Sequence, residues 1–223
     1  LTLSLTIEQL PCEGNTSGIV QSQVDGGVSP YQYLWSNGDT TSHLLNVGSG
    51  VYRLTVTDGS GCSIEASASL NATPGLSVSL EQSDVQCFGQ NNGVLEAVVE
   101  GGLAPFRYEW SNGNTNDRIV NLAPDTYSLT VTDDNGCYDT ISALITEPPA
   151  LEVMAISQNI TCAGAVDGQA SILVSGGVAP YSFAWGTGDT TANVQGLPAG
   201  IYGVIIEDAK GCIDVASVEI LEP

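Results

Sequence analysis

The sequence predicts an all-β protein made of three tandem antiparallel β-sandwiches, and two patterns support this prediction. The first is an internal repeat, because Cys12, Cys87 and Cys162 follow one another at intervals of 75 residues. The second is a hydrophobic pattern with a period of two residues, which is typical of strands with one buried face. The composition agrees with this fold, because 26 of the 223 residues are glycine, which favours turns. Threonine, serine and valine are also abundant, which favours turns and strands.

The interval of 75 residues recurs at further positions without insertion or deletion, and it sets the predicted domain boundaries. We expect repeats at 1–75, 76–150 and 151–223, arranged head to tail in an elongated array. Prolines near the end of each repeat stiffen the short connections. The repeated markers are Gly26-Gly27, Gly101-Gly102 and Gly176-Gly177; Trp35, Trp110 and Trp185; Tyr52, Tyr127 and Tyr202; and Cys62, Cys137 and Cys212.

Strand periodicity also predicts the core of each repeat. In the first repeat Tyr31, Tyr33 and Trp35 recur at every second position, which favours a buried line of aromatic residues over a glycan-binding platform. We therefore place the three tryptophans and the tyrosines equivalent to Tyr52 in the cores. A tryptophan in a mid-chain strand and a tyrosine before the penultimate strand resemble the core and the tyrosine corner of immunoglobulin-like sandwiches.

Charge excludes several classes of function. The chain carries 25 Asp and Glu against 4 Lys and Arg, a formal net charge of −21, which argues against binding to nucleic acid or to an anionic membrane. No apolar run approaches the roughly 18 residues of a membrane-spanning helix, so we expect no membrane insertion. The chain begins at Leu1 without a signal-peptide pattern, and we interpret it as part of a longer protein. Six cysteines favour an oxidising, extracellular setting.

Taken together, the motifs of one repeat resemble those of the SprB repeat. The resemblance extends over the whole chain three times, and the third copy departs modestly, since Gly186-Thr187-Gly188 replaces Ser-Asn-Gly. The segment that starts at Trp35 is also similar to a hairpin of PKD domains, which are immunoglobulin-like. In the first repeat the motifs are Cys12, Gly26-Gly27, Pro30-Tyr31, Tyr33, Trp35-Ser36-Asn37-Gly38, Thr40-Thr41, Gly50, Tyr52, Thr55-Val56-Thr57-Asp58 and Gly61-Cys62.

The resemblance has consequences for function. SprB repeats imply a very large cell-surface adhesin of gliding Bacteroidota, secreted by the type IX system and associated with the outer membrane. They imply no catalytic residue. The expected partners are neighbouring repeats of the same chain, glycans, and a surface anchor or the motility machinery reached through other regions.

An enzyme is not expected from the residues themselves. Nucleophilic catalysis needs a base beside the nucleophile, but the only histidine is His43, and Arg118 and Asn193 occupy the equivalent positions. No Cys-x-x-Cys pair is present, which disfavours a zinc site. We therefore predict no catalytic residue and no cofactor, with calcium as the one possibility left open.

Two weaker site hypotheses concern aspartate and threonine. Asp58, Asp133 and Asp208 form the one acidic position shared by all repeats, and each opens a four-residue hairpin turn. One carboxylate per loop is short of a calcium ligand set, so we favour turn capping, with calcium binding as the alternative. Short sequence matches also suggest O-glycosylation at Thr40, Thr140 and Thr190, since each follows an aspartate.

The cysteines allow two patterns of disulfide pairing. The intra-repeat pattern is Cys12–Cys62, Cys87–Cys137 and Cys162–Cys212. In an immunoglobulin-like sandwich, however, the two cysteines of one repeat lie near opposite poles, on the order of 20 Å apart, whereas a disulfide needs Cα atoms about 5.5 Å apart. The inter-repeat pattern joins Cys12 to Cys137 and Cys87 to Cys212 and leaves Cys62 and Cys162 for neighbours outside this sequence. The sequence leaves both patterns open.

From these observations we expect a structural stalk segment of a secreted surface adhesin, in which disulfide-stabilised repeats carry tension. The alternative is a module whose exposed faces or loops bind carbohydrate or calcium. A binding module should keep a ligand-like loop in every copy, whereas a spacer keeps only the residues that determine the fold. The three copies share fold positions and differ on the predicted exposed faces, which favours the stalk.

Overall fold

The computed structural model describes residues 1–223 as eighteen β-strands. The first six are β1 (Thr2–Gln9), β2 (Gly18–Asp25), β3 (Gln32–Trp35), β4 (His43–Val47), β5 (Gly50–Thr57) and β6 (Ser63–Leu70). The next six are β7 (Leu76–Ser83), β8 (Gly93–Gly101), β9 (Arg107–Trp110), β10 (Arg118–Leu122), β11 (Asp125–Thr132) and β12 (Tyr138–Ile145). The last six are β13 (Glu152–Gln158), β14 (Gly168–Ser175), β15 (Ser182–Trp185), β16 (Asn193–Leu197), β17 (Gly200–Glu207) and β18 (Ile213–Ile220). The structure contains no apolar helix long enough to cross a membrane.

Each set of six strands forms two three-stranded sheets, and the strand order is the same in every set. In the first set the orders are β1-β2-β4 and β3-β5-β6, with all pairings antiparallel. Strands that follow one another in the chain are thus divided between two sheets, as in immunoglobulin-like sandwiches. The predicted all-β fold of tandem immunoglobulin-like sandwiches is confirmed.

The chain divides into two compact units, and the middle repeat contributes to both. Unit 1 comprises Leu1–Leu80, Ala97–Asp117 and Ser128–Ile141. Unit 2 comprises Glu81–Glu96, Arg118–Tyr127 and Ser142–Pro223. This division follows spatial contact, whereas the three predicted repeats follow the sequence period. Each unit combines one terminal repeat with part of the middle repeat.

The core of the first repeat consists of side chains from both of its sheets. Val20 and Leu44 come from the sheet of β1, β2 and β4, and Trp35, Leu54 and Val56 come from the sheet of β3, β5 and β6. Each of these side chains is at most 1% exposed. The intervening residues of β5 are exposed or half-buried, so the alternation in the sequence marks the buried face. In the third repeat, Trp185 and residues of β14, β16, β17 and β18 form the corresponding core.

The tryptophans and tyrosines that the sequence places in the cores are buried to different degrees. The tryptophans are 1–5% exposed, and each indole N–H donates to the carbonyl six residues later. The tyrosines are half-buried, and each hydroxyl donates to the carbonyl four residues earlier, which is the geometry of a tyrosine corner. These bonds pair polar atoms that would otherwise be costly to bury.

The fourth strand of each repeat contains a bulge that the sequence analysis did not foresee. The register of β4 against β2 shifts by one residue before Val47, and β10 shifts in the same way against β8. Asn46 and Asn121 lie at these shifts with φ of 57° and 58°, and Gly196 occupies the third equivalent position with φ of 73°. Asparagine and glycine tolerate the left-handed region best, which explains this choice of residues.

A substitution in the core tests the assignment of the buried face. Leu54→Ala removes a fully buried side chain, and we expect the free energy of unfolding of the first repeat to fall by roughly 2–5 kcal/mol. The matched control is Leu34→Ala on the neighbouring strand β3, where the side chain is 56% exposed and the change should stay within about 0.5 kcal/mol. Urea denaturation followed by tryptophan fluorescence measures both, and equal losses would contradict the assigned face.

Candidate functional site

Two disulfides, each joining residues from different repeats, form the candidate functional site. In unit 1, Cys12 follows β1 and is bonded to Cys137, which precedes β12, with a Cα–Cα distance of 5.7 Å. In unit 2, Cys87 is bonded to Cys212 in the same way, with a Cα–Cα distance of 5.6 Å. The structure therefore contains the inter-repeat pattern of pairing. We call these two regions the first and the second joint.

The intra-repeat pairing does not occur, and the position of β1 gives the physical reason. Gly27 lies against both Leu1 and Asp58, so the chain start and the turn before Cys62 are neighbours. Cys12 lies beyond the far end of β1, which is eight residues long and so extends about 25 Å. A disulfide between Cys12 and Cys62 cannot cross that distance.

Hydrogen bonds reinforce the first joint. The Asn135 side-chain amide donates to the Leu10 carbonyl at 2.8 Å, and the Gln9 amide donates to the Asn135 carbonyl at 3.2 Å. The Thr73 hydroxyl lies 3.3 Å from the sulfur of Cys137, and it is the donor because that sulfur carries no proton. Cys137 and Thr73 are 4% and 7% exposed. The first joint is therefore a buried contact with paired polar groups.

The second joint is more open to solvent. Its two cysteines are half-buried, and the Gln86 amide donates to the Lys210 carbonyl at 2.6 Å. Hydrogen bonds from the backbone N–H of Thr146 and the Gln82 side chain lower the pKa of Asp84, and the positive charge of Lys210 lowers it further. The second joint thus contains the Gln86–Lys210 hydrogen bond and a small electrostatic attraction between Asp84 and Lys210.

Sequence reasoning missed the residues that surround the cysteines at the joints. Asn135 corresponds to Ser60 in the first repeat and to Lys210 in the third, and Gln86 corresponds to Pro11 and Thr161. These positions differ between repeats, and comparison of the repeats marks only the residues that they share. Their contacts lie about 125 residues apart in sequence, beyond the range of any local signal.

A buried aspartate holds the hairpin that presents the second cysteine of each repeat. One oxygen of Asp133 accepts from the backbone N–H of Cys137 at 2.8 Å and of Asn135 at 3.0 Å, and the other accepts from Leu103 at 2.9 Å. Asp58 and Asp208 make the equivalent bonds to Cys62 and Cys212. These contacts are those of a turn cap. No cluster of three or more His, Cys, Asp or Glu side chains that could hold a metal ion is present.

The environments of Asp58 and Asp208 lower the pKa of each carboxyl group. The Ser60 hydroxyl, followed by the backbone N–H groups of Cys62, Val28 and Ser60, lowers the pKa of Asp58 to about 2, against the opposing effect of burial. For Asp208, burial works to raise the pKa, but the backbone N–H groups of Cys212, Val178 and Lys210 outweigh it, so the pKa is lowered. In both turns the ionised carboxylate is the form that the hairpin stabilises.

The two remaining cysteines, Cys62 and Cys162, are free and exposed. Cys62 occupies the position of Cys137 and Cys212 in the repeat, and Cys162 occupies the position of Cys12 and Cys87. Each free thiol therefore belongs to one half of a joint whose other half does not lie within residues 1–223.

The other residues considered in the sequence lie on the surface. Thr40, Thr140 and Thr190 are exposed, which leaves them accessible for the predicted O-glycosylation. His43 is exposed, and so are Arg118 and Asn193 at the equivalent positions. Arg118 forms an ion pair with Glu96 at 3.3 Å.

Comparison with protein families identifies the repeat. The SprB repeat matches residues 4–40, 79–115 and 154–190, at the interval of 75 residues seen in the sequence. The chain therefore belongs to the SprB repeat family, as its motifs suggested. Each match ends in the loop that follows the core tryptophan.

Solved structures resemble the chain only distantly, and no curated protein matches it. The eight N-terminal immunoglobulin domains of Down syndrome cell adhesion molecule are 13% identical, with 98% of this chain and 36% of that chain covered and a TM-score of 0.42. Invasin, a bacterial integrin-binding protein, is 12% identical, with coverages of 100% and 60% and a TM-score of 0.35. Domains 4–9 of the surface layer protein SbsC are 11% identical, with coverages of 100% and 47% and a TM-score of 0.29. These values carry no information about a shared ligand or activity.

The difference in burial between the joints predicts an order of reduction. Attack by a thiolate needs access to a sulfur atom, so dithiothreitol should reduce Cys87–Cys212 before Cys12–Cys137. Partial reduction of the folded chain, followed by alkylation and peptide mass spectrometry, measures the order. In a denaturing concentration of urea the two rates should become similar, and equal rates in the folded chain would contradict the prediction.

The low pKa of Asp58 predicts a loss of stability in acid. Its pKa in the folded chain, about 2, lies below its ordinary value of 3.8. The stabilisation by the ionised carboxylate is therefore complete above about pH 4 and is lost as the pH falls towards 2. Asp58→Asn should destabilise the first repeat at neutral pH and flatten this dependence. The control Asp25→Asn alters an exposed carboxylate of the same repeat and should retain the acid-induced loss. Urea denaturation at several pH values compares the three proteins.

Proposed function

We propose that this chain is a tension-bearing stalk segment of a secreted cell-surface adhesin. The observation that carries the proposal is the covalent connection of consecutive repeats by Cys12–Cys137 and Cys87–Cys212. A disulfide within a repeat would stabilise that repeat, whereas a disulfide between repeats fixes how far they can separate under load. Membership of the SprB repeat family supports the assignment to an adhesin.

The setting and the partners follow from the same proposal. Disulfides persist in oxidising compartments, which favours an extracellular location. The family resemblance adds association with the outer membrane, secretion by the type IX system and a part in gliding motility. Neighbouring repeats are the direct partners, and an anchor or the motility machinery is reached through other regions. The module is structural and non-catalytic.

The disulfides define the route that force takes through the chain. From Leu1, the shortest covalent route crosses from Cys12 to Cys137, runs back along the middle repeat to Cys87, and crosses to Cys212. About 70 residues lie on this route, so its fully extended length is about 250 Å. Residues 13–86 and 138–211 are bypassed, and their unfolding cannot lengthen the chain beyond that limit.

Single-molecule stretching tests the proposal. All proteins carry Cys62→Ser and Cys162→Ser, so that the free thiols cannot exchange, and are pulled from their two ends. With both joints intact the contour length should stop at about 250 Å. Without the first joint, in Cys12→Ser/Cys137→Ser, it should reach about 330 Å, and full reduction should allow about 750 Å. An oxidised chain that extends to the fully reduced length would refute the tension-bearing role.

A further inference from the structure

We propose that Cys62 and Cys162 belong to the two halves of a third joint, through which copies of this chain associate end to end and form a Cys62–Cys162 disulfide. The inference rests on the proposed function and extends it, because it assigns a second copy of the chain as the partner of both free cysteines. The local structure around each free cysteine matches the local structure around the bonded cysteines at the equivalent positions of the other repeats.

The hairpin around Cys62 has the form of the hairpins that already carry a disulfide. The N–H of Asp58 donates to the Cys62 carbonyl at 2.9 Å, and the equivalent distances at Cys137 and Cys212 are 2.8 Å and 3.0 Å. The Cys62 N–H donates to the Asp58 carboxylate at 2.9 Å, against 2.8 Å and 2.9 Å in the bonded hairpins. Cys62 is therefore presented as in a completed joint.

The turn around Cys162 likewise matches the bonded turns. The Cys162 carbonyl accepts from the N–H three residues later at 2.9 Å, as Cys12 does at 2.9 Å and Cys87 at 3.1 Å. The residue that follows the first strand is also bonded in the same way to the residue that follows the last strand of its repeat. Asn159 accepts from the Leu221 N–H at 2.9 Å, and Asp84 accepts from the Thr146 N–H at 2.9 Å. The turn that carries Cys162 thus has the geometry of the bonded turns without a bound partner.

The two halves are different surfaces, which determines the kind of assembly. A contact between unlike surfaces adds one copy after another and does not close on itself without a suitable rotation. Each added disulfide would also carry force from one copy to the next. Within one copy the covalent route would run from Cys62 back to Cys12, across to Cys137 and on to Cys162. Its two segments of 50 and 25 residues extend to about 250 Å, so each copy keeps the limit that its internal joints set.

The chemistry requires an oxidant. The thiols of Cys62 and Cys162 lose two protons and two electrons as their S–S bond forms. Glutathione disulfide accepts them, and its own S–S bond breaks to give two glutathione thiols. The exchange passes through a mixed disulfide between glutathione and one protein cysteine, which the second cysteine resolves.

Two single variants separate a specific joint from random thiol oxidation. Cys62→Ser retains only Cys162, and Cys162→Ser retains only Cys62. With glutathione disulfide, the mixture should form one heterodimer at least roughly tenfold faster than either variant alone forms a homodimer, because docking raises the effective thiol concentration. The unmodified chain should form a ladder of oligomers. Non-reducing electrophoresis gives the rates, and peptide mass spectrometry identifies the bridge.

A gain-of-contact variant tests whether the surface around the thiols takes part. Ser60→Asn, introduced into the protein that retains Cys62, places at the free hairpin the residue that donates to the Leu10 carbonyl in the first joint. Ile160 supplies the equivalent carbonyl at the other half, so the heterodimer should form severalfold faster. Asn135 and Lys210 occupy this position in the other two hairpins, so the substitution is compatible with the fold.

Three results would overturn the inference: equal rates for heterodimer and homodimers, a monomer with an internal Cys62–Cys162 bridge, or protein thiols capped by glutathione without oligomers. Each of these leaves the stretching behaviour of the single chain unchanged, because that experiment uses the two joints already present. Failure of the third joint is therefore distinguishable from failure of the proposed stalk function.

Discussion

The distance that a disulfide can bridge is the constraint on which the organisation of this chain depends. Cα atoms of bonded cysteines lie about 5.5 Å apart, whereas the strands of a sandwich are several times longer. Cys12 and Cys62 are separated by the length of β1, so they cannot pair within their repeat. Each of these cysteines can form a disulfide only with a cysteine of an adjoining repeat. The disulfides therefore connect repeats along the chain, whereas a disulfide within a repeat would stabilise only that repeat.

A second constraint acts within each joint. The buried carboxylates of Asp58, Asp133 and Asp208 bind the backbone N–H of the following cysteine, which fixes where that cysteine lies before it is oxidised. The glycine pairs belong to the same arrangement, because a side chain at Gly27 or Gly177 would approach the carboxylate to within 3 Å. Two of the repeated sequence markers thus serve one purpose, which is to hold the cysteine hairpin against the loop before β3, β9 or β15.

The joints share this frame but differ in the polar groups around the sulfur atoms. The first is buried and is closed by Asn135, Gln9 and Thr73. The second is half-buried, with a hydrogen bond from Gln86 and a small electrostatic attraction between Asp84 and Lys210. Variation at these positions lets one backbone geometry carry contacts of different chemistry. Neighbouring repeats can in this way differ in how readily their bridge is reduced while keeping the same fold.

The sequence by itself determined the repeat, the strands and the cores, because these features are written in local periods. Trp35, Leu54 and Val56 are buried where the alternation places them, and the repeat interval fixes their equivalents. It could not determine the pairing of the cysteines, since Cys62 and Cys137 stand in near-identical local sequences. It also gave no indication of the bulge at Asn46 or of the contacts of Asn135 and Gln86. The disulfides and the contacts of Asn135 and Gln86 depend on which groups approach one another through space across about 125 residues of chain. The bulge depends on how β4 pairs with β2. Only the tertiary structure decides these arrangements.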